Sequence, residues 1–421
     1  MKAKQRRIGF VATRLAGTDG VSLEARKWSR VLAEMGHACF YFAGESEWPR
    51  ERSYVVPEAH FTHPAIQETQ ADLFGDYIRS PETSQAVQRL KDHMKGHLRE
   101  FVRLFDLELL IVENALSLPM NVPLGLALTE LIAETSLPTI AHHHDFTWER
   151  ERFAVNAAAD YLHAAFPPTL PSIRHVVVNS FAGSQLALRT GASSTLIPNV
   201  LDFESPPPAS DEYAAGLRSV LGVRPGEHLL LQPTRIVPRK RIQLAIELAR
   251  RLDLPCKLVV SHGLSDEGTA YQAYLRSFAD MLGVQMIFAS DMVAYDRGWT
   301  LDGRRIYALA DVYRQADLVT YPSRVEGFGN AFLEAVYYRR PIVMSAYEIF
   351  KTDIQPKGFK VIAFTDFLTD ACVAHSRIVL QDPALADEMT EHNYELGRRY
   401  YSWSVLENRL IALLNECLGL D

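Results

Sequence analysis

The chain has 421 residues, of which 48% are hydrophobic and 23% are charged, and its formal net charge is −7 at pH 7. This length suits two or three domains of about 150 residues each. The negative balance, without basic stretches interleaved with aromatic residues, argues against nucleic-acid binding. No apolar run approaches the roughly 20 residues of a membrane span. Four cysteines stand singly, which is typical of reduced thiols in a cytoplasmic protein.

Short apolar runs alternate with helical patterns through both halves of the chain, which predicts an α/β fold with doubly wound parallel sheets. In chain order, we expect strands at 8–13, 38–43, 109–112, 138–142, 175–178, 195–197, 229–232, 257–261, 285–288, 318–321, 342–344 and 360–364. Residues 202–211 contain three consecutive prolines between the two halves. Such a segment is typical of a semi-rigid linker, so we place the domain boundary there.

The first candidate site is the loop from Thr13 to Ser22, between the first predicted strand and the first predicted helix. It contains Gly17 and Gly20. Two glycines before a helix are in themselves only a tight turn, so this loop gains meaning only from the other motifs.

Residues 46–106 fit the alternation poorly. Apolar residues mark one face of an amphipathic helix: Val87, Leu90, Met94, Phe101, Val102 and Phe105. Five basic residues lie mostly elsewhere: Arg89, Lys91, Lys95, Arg99 and Arg103. A basic amphipathic helix can bind an anionic membrane, but a solvated basic face is the favoured interpretation.

The predicted strand 138–142 runs into His142, His143, His144 and Asp145. The carboxyl ends of strands are where α/β sheets place ligand groups. Neighbouring residues face opposite ways on a strand, so His143 and His144 cannot both face one site. A metal site of His142, His144 and Asp145 is disfavoured because the sequence offers no remote residue to complete the ligand set. Core or surface histidines without a ligand role are the remaining alternative.

A basic loop joins the strand at 229–232 to a helix predicted from about 242 to 252. It contains Arg235, and three consecutive cations at 239–241 include Lys240. Cations at a helix N-terminus oppose the helix dipole, and each destabilises the helix by about 0.3–1 kcal/mol when exposed. An anion bound between these cations would turn this free-energy cost into a stabilisation. The alternative is a basic loop that is simply solvated.

Glu326 and Glu334 bracket a glycine-rich turn between two predicted strands, with a helix beginning inside the segment. The bare backbone at Gly327 and Gly329 lets an anion approach the amides at the start of that helix. Glu334 stands among apolar residues, a poor setting for an unpartnered carboxylate. A ribose diol would satisfy it; otherwise Glu334 pairs with a nearby arginine and Glu326 is solvated.

This pattern of two glutamates resembles the E-x7-E motif of the retaining glycosyltransferases of family four, which have the GT-B fold. The resemblance implies two Rossmann-like domains facing each other across a cleft. The first would comprise 1–203, with the C-terminal helix 403–421 packing back on it, and the second 204–402. It also implies that Arg235 and Lys240 hold the donor diphosphate, that Glu326 contacts the sugar, and that Glu334 binds the ribose. In that family a His-Asp pair ends the matching strand, which makes His144 the sugar contact and His143 the fallback. The remaining donor-side positions are Gly327, Phe328, Gly329, Asn330 and, in the first loop, Gly20.

The implied activity is transfer of a hexosyl group, with retention, from a nucleoside-diphosphate sugar to a hydroxyl acceptor. Enzymes of this fold generally need no metal for the chemistry, and the nucleotide sugar is a substrate, so no cofactor is expected. Two alternatives stay open: a sugar-nucleotide 2-epimerase, and an inactive protein that binds nucleotide sugars. The donor base, the sugar and the acceptor are not identified by these motifs.

Overall fold

The structure is a computed structural model of the chain and describes residues 5–17, 19–263, 269–294 and 296–419. The chain divides into two compact units, one of Met1–Asn199 with Ser404–Asp421 and the other of Val200–Trp403. Each unit is built on a parallel sheet of Rossmann type. The predicted α/β class with two doubly wound sheets is therefore confirmed.

The first unit holds a seven-stranded sheet in the order β3-β2-β1-β4-β5-β6-β7. Its strands are β1 (Arg7–Val11), β2 (Ala38–Ala43), β3 (Ser53–Val55), β4 (Leu109–Glu113), β5 (Thr139–His143), β6 (Ile173–Val177) and β7 (Ser194–Leu196). Its helices are α1 (Gly20–Glu34), α2 (Pro64–Leu73), α3 (Pro81–Leu104), α4 (Val122–Thr135), α5 (Ala159–Ala165) and α6 (Ser180–Thr190). All neighbouring strands run parallel. Every residue of β4 is buried, as expected for a strand covered on both faces.

The second unit holds a six-stranded parallel sheet in the order β10-β9-β8-β14-β15-β16 and a small three-stranded sheet, β11-β13-β12. Its strands are β8 (His228–Gln232), β9 (Cys256–Val260), β10 (Met286–Phe288), β11 (Val293–Ala294), β12 (Gly298–Trp299), β13 (Arg305–Ala308), β14 (Leu318–Tyr321), β15 (Ile342–Ser345) and β16 (Ile362–Phe364). Its helices are α7 (Glu212–Val220), α8 (Ile242–Arg251), α9 (Thr269–Leu282), α10 (Leu309–Gln315), α11 (Asn330–Tyr337), α12 (Asp370–Gln381) and α13 (Pro383–Tyr401). The last helix, α14 (Trp403–Leu418), contributes its residues from Ser404 onward to the first unit.

All twelve predicted strands are present, and none of their ends is shifted by more than two residues. Four further strands were not predicted, namely β3 and the small sheet of β11, β12 and β13. They are two to four residues long, too short to show a period of two in the sequence.

The predicted amphipathic helix in 46–106 is α3, and its basic face is not simply solvated. Lys91 and Lys95 both contact Glu130 of α4, with Lys95 Nζ 2.7 Å from the carboxylate. Arg99 lies 2.5 Å from Glu134 on the same helix. These ion pairs hold α3 against α4, so the solvated-face interpretation is wrong for Lys91 and Lys95, whereas Arg99 stays exposed to solvent. No helix among the described residues is long and apolar enough to cross a membrane.

Candidate functional site

Lys240 and Glu326 form an ion pair at the edge of the second unit's sheet. Lys240 follows β8 and Glu326 follows β14, and these two strands are neighbours. They flank the point where the order of strands reverses, which is where open α/β sheets bind their ligands. Lys240 Nζ contacts Oε1 of Glu326, and Arg239 lies 3.6 Å from the other oxygen. Only 10% of either partner side chain, Lys240 or Glu326, is exposed.

The two partners hold each other charged in a buried setting. Burial lowers the pKa of Lys240, and the charge of Glu326 offsets this only in part. Burial alone would raise the pKa of Glu326, but the charges of Lys240 and Arg239 outweigh it and lower that pKa. The alternative of a solvated Glu326 is therefore wrong, because the loop after β14 turns the carboxylate inward onto Lys240.

Arg235 and His262 share this edge of the sheet with Lys240. Arg235 is exposed, in the loop after β8. His262 follows β9, and burial, with the charges of Lys240 and Arg235, lowers its pKa to about 4. Its imidazole is therefore neutral at pH 7, and Lys240 and Arg235 are the cations that act on it. His262 was not among the predicted site residues, although its place directly after a predicted strand was a usable signal.

The glycine-rich turn is shaped by Tyr347, another residue that the sequence analysis missed. The Tyr347 hydroxyl donates to the carbonyl of Phe328 at 2.7 Å. Gly329 has φ +118°, and a Cβ there would stand 2.2 Å from the Tyr347 hydroxyl. Only glycine fits this position, which leads directly into α11 at Asn330. Phe328 is buried and packs on Tyr401, so its side chain is part of the hydrophobic core.

Glu334 lies on α11, one turn further along, and is partly exposed. The Tyr313 hydroxyl donates to its Oε2 at 2.7 Å. Tyr313 is fully buried and stacks on Tyr338. A buried tyrosine from α10 thus supplies one hydrogen bond to Glu334, a partner that the sequence did not reveal.

A second polar group lies at the end of β4 and β5 in the first unit. Glu113 and His142 are paired across the two strands. Oε2 of Glu113 is 2.9 Å from Nδ1 of His142 and 3.1 Å from Nε2 of His144, and the latter contact is a hydrogen bond. His143 faces the other way and shares a hydrogen bond with His175 at 2.8 Å. His144, partly exposed, is thus the strand-end histidine nearest to solvent.

The charges in this group follow from burial and pairing. Burial would raise the pKa of Glu113, but its close contacts with His142 and His144 outweigh it and lower the pKa to about 2. Burial lowers the pKa of His142 despite the nearby carboxylate. For His144 burial is outweighed by the hydrogen bond and charge of Glu113, so its pKa is raised.

Within the part of the chain that the structure describes, Glu113, His142 and His144 also have donor atoms that could surround a metal ion, since these atoms lie within 4.8 Å of one another. The alternative set with Asp145 is wrong, because Asp145 turns away to Arg150 at 2.6 Å. Glu113 is the remote partner that the sequence did not reveal. It occupies the last position of a strand whose other residues are all apolar, and that polar end was the available signal.

The N-terminal loop is organised by Asp19. Asp19 accepts hydrogen bonds from the amides of Val21 and Ser22 and so caps α1. Its second oxygen lies 2.9 Å from Arg14. Gly20 is the exposed first residue of α1. Thr18, within the predicted loop, lies outside the described residues.

Comparison of the sequence with known proteins gives two results. The family described as Glycosyl transferases group 1 matches residues 304–396. Mannosylglucosylglycerate synthase from Thermotoga maritima is 32% identical over 96% of this chain and 98% of its own. The Petrotoga mobilis enzyme of the same name is 31% identical over 85% of this chain and 86% of its own.

The fold is shared with solved glycosyltransferase structures at low sequence identity. A glycosyltransferase from Rickettsia africae superposes with a TM-score of 0.70 at 12% identity, covering 99% of this chain and 100% of the other. The Anabaena protein HepE, in complex with UDP and glucose, gives a TM-score of 0.65 at 12% identity, with 98% and 100% covered.

Proposed function

Because the chain belongs to the glycosyl transferases group 1 and is a glycosyltransferase, we propose that it moves a mannosyl group, with retention, from a nucleoside-diphosphate sugar to a hydroxyl of glucosylglycerate. The ion pair of Lys240 and Glu326 at the reversal of strand order carries this proposal. It holds the cation Lys240 in place for a leaving diphosphate, and Arg235 stands exposed in the same loop as Lys240.

The leaving group explains why cations belong at this edge. A departing nucleoside diphosphate gathers negative charge as the glycosidic bond breaks, so fixed cations stabilise the transition state more than the bound substrate. Lys240 is already buried and oriented by Glu326, so little reorganisation is needed during the reaction. We therefore assign Arg235 and Lys240 to the diphosphate and Glu326 to the sugar. In this arrangement Lys240 lies between the diphosphate and Glu326.

The nucleoside is assigned to α11. Glu334 accepts a hydrogen bond from Tyr313, which fixes the carboxylate as an acceptor. A carboxylate held in this way can accept two further hydrogen bonds, such as those from the two ribose hydroxyls. The Gly327, Gly329 and Asn330 backbone leads into the N-terminus of the same helix, which favours negative charge.

In the first unit, His144 is assigned to the donor sugar, since Glu113 fixes its Nε2 and leaves Nδ1 as its other polar atom. Retention needs either a protein nucleophile or attack from the side of the leaving group. We propose the second route, in which the departing phosphate oxygen accepts the proton of the acceptor hydroxyl. Arg235 and Lys240 would stabilise that oxygen, so the transfer step would require no metal.

The sugar and the acceptor are proposed from the two relatives that match most of the chain. Their name describes a product with mannosyl, glucosyl and glycerate parts. A single glycosyl transfer yields this product from a mannosyl donor and glucosylglycerate. The base of the nucleotide is left to experiment, because the HepE complex contains UDP but resembles this chain in fold only.

The test is a thermal-shift panel of UDP, GDP and ADP sugars, followed by a transfer assay with the donor that binds. Ligand binding to the folded state raises the melting temperature. Transfer of mannose to glucosylglycerate, but not to glycerate or glucose alone, is the expected result. Interconversion of the donor to its 2-epimer without an acceptor would indicate an epimerase. Binding without turnover for any acceptor would indicate an inactive protein.

A further inference from the structure

We propose that Glu113, His142 and His144 form a binding site for one divalent transition-metal ion in the first unit. Two imidazole nitrogens and one carboxylate oxygen suit Zn²⁺ best, with a fourth coordination position left for water or another ligand. This site goes beyond the proposed function, which needs no metal and uses only His144 of these three residues, as a contact to the donor sugar.

The spacing of the donor atoms fits a metal ion. Nδ1 of His142 and Nε2 of His144 lie 2.9 and 3.1 Å from the same Glu113 oxygen. Ligands about 2.0–2.2 Å from a tetrahedral ion are separated by roughly 3.3–3.6 Å. Small movements of the side chains would therefore open the group around an ion.

A shared proton explains only one of the two histidine contacts to Glu113. The contact between His144 and Glu113 is a hydrogen bond, whereas the 2.9 Å approach of His142 Nδ1 does not have hydrogen-bond geometry. Among the described residues, Nδ1 of His142 and Oε1 of Glu113 are buried without a hydrogen-bond partner. Buried polar atoms are nearly always satisfied. A metal ion bound by Nδ1 of His142 would satisfy that atom.

The surrounding residues hold the three ligands in place. Trp28 stacks on the His142 ring with centroids 4.2 Å apart. Oδ1 of Asn114 accepts hydrogen bonds from the backbone amides of His144 and Asp145 at 3.0 and 3.2 Å. Outer-shell contacts of this kind orient ligands and raise metal affinity. The ligands also sit on two adjacent strand ends, a rigid base for a site.

The first measurement is the metal content of untagged wild-type protein after incubation with Zn²⁺ and dialysis. One equivalent of zinc is expected. Glu113→Gln keeps the size of the side chain but removes the anionic ligand. It should weaken Zn²⁺ binding by at least about 100-fold, since changes outside the ligand shell alone cost roughly 10–100-fold. His163→Gln, at an exposed histidine of the same unit, is the matched control and should keep the full equivalent.

The second measurement needs no variant and so does not depend on Glu113→Gln folding. Titration of wild type with Co²⁺ should give the intense visible absorption of a four-coordinate ion, saturating at one equivalent and displaced by Zn²⁺. If wild type binds neither ion stoichiometrically, the group is a metal-free ion pair of Glu113 and His144, and the proposal is wrong. Equal zinc retention by Glu113→Gln and wild type would also overturn it.

Discussion

Lys240 and Glu326 are 86 residues apart in the sequence but form a buried ion pair at the ends of two adjacent strands. A diphosphate that binds Lys240 must therefore share it with Glu326. The carboxylate keeps the lysine charged and aimed before the donor arrives, and the phosphate takes over part of that role during the reaction. This relationship sets the expected effects of changes on either side of the pair.

The first prediction concerns the leaving group. Replacing Lys240 or Arg235 by Ala should lower kcat by on the order of 10²–10³, as for other preorganised transition-state donors. The loss should fall on kcat more than on KM, because the charge develops in the transition state. Steady-state kinetics with the preferred donor is the measurement. Arg250→Ala, at an exposed arginine of α8, is the control; a change confined to KM in the Lys240 variant would refute the role.

The second prediction is a pH dependence. Burial lowers the pKa of Lys240 from its ordinary value of 10.5, and Glu326 partly restores it. Activity should thus be present while Lys240 is protonated and lost as the pH rises through the lowered pKa. Glu326→Gln removes the restoring charge and should move this alkaline limb to lower pH. Lys240→Arg should move it to higher pH, since a guanidinium stays protonated.

The pH profile of kcat/KM measures this limb in the free enzyme. An alkaline limb at the same pH in wild type, Glu326→Gln and Lys240→Arg would mean that another group titrates.

The third prediction separates the two glutamates. Glu334→Gln should weaken binding of the free nucleoside diphosphate by roughly 10–100-fold, since a hydrogen bond to a charged group contributes about 1.5–3 kcal/mol. Tyr313→Phe should weaken it less, because it only loosens the orientation of Glu334. Glu326→Gln should lower turnover without lowering nucleotide affinity, which makes it the matched control. Calorimetric titration checks all three; equal affinity in wild type and Glu334→Gln would sink the ribose assignment.

The sequence predicted the sheets well because buried parallel strands are continuous apolar runs, as in β4 and β14. It also placed Lys240 and Glu326 at strand ends. It did not predict their pairing, because a contact between loops 86 residues apart depends on strand order. Glu113, Tyr313 and Tyr347 were missed for the same reason: each acts through a partner brought close only by folding.

The last prediction is stereochemical. The mannosyl linkage should keep the anomeric configuration of the donor, and the rate should not depend on added Mg²⁺ or Mn²⁺, because Arg235 and Lys240 neutralise the leaving diphosphate. NMR of the product formed in EDTA gives the configuration, with the zinc content of the enzyme measured before and after. An inverted linkage would rule out attack from the leaving-group side. EDTA could instead abolish activity without changing the zinc content, and Mg²⁺ could restore it. That result would show that a metal helps Lys240 and Arg235 to neutralise the leaving diphosphate. Activity lost with the zinc and restored by one equivalent of Zn²⁺ would instead locate the requirement at Glu113, His142 and His144, leaving the diphosphate assignment intact.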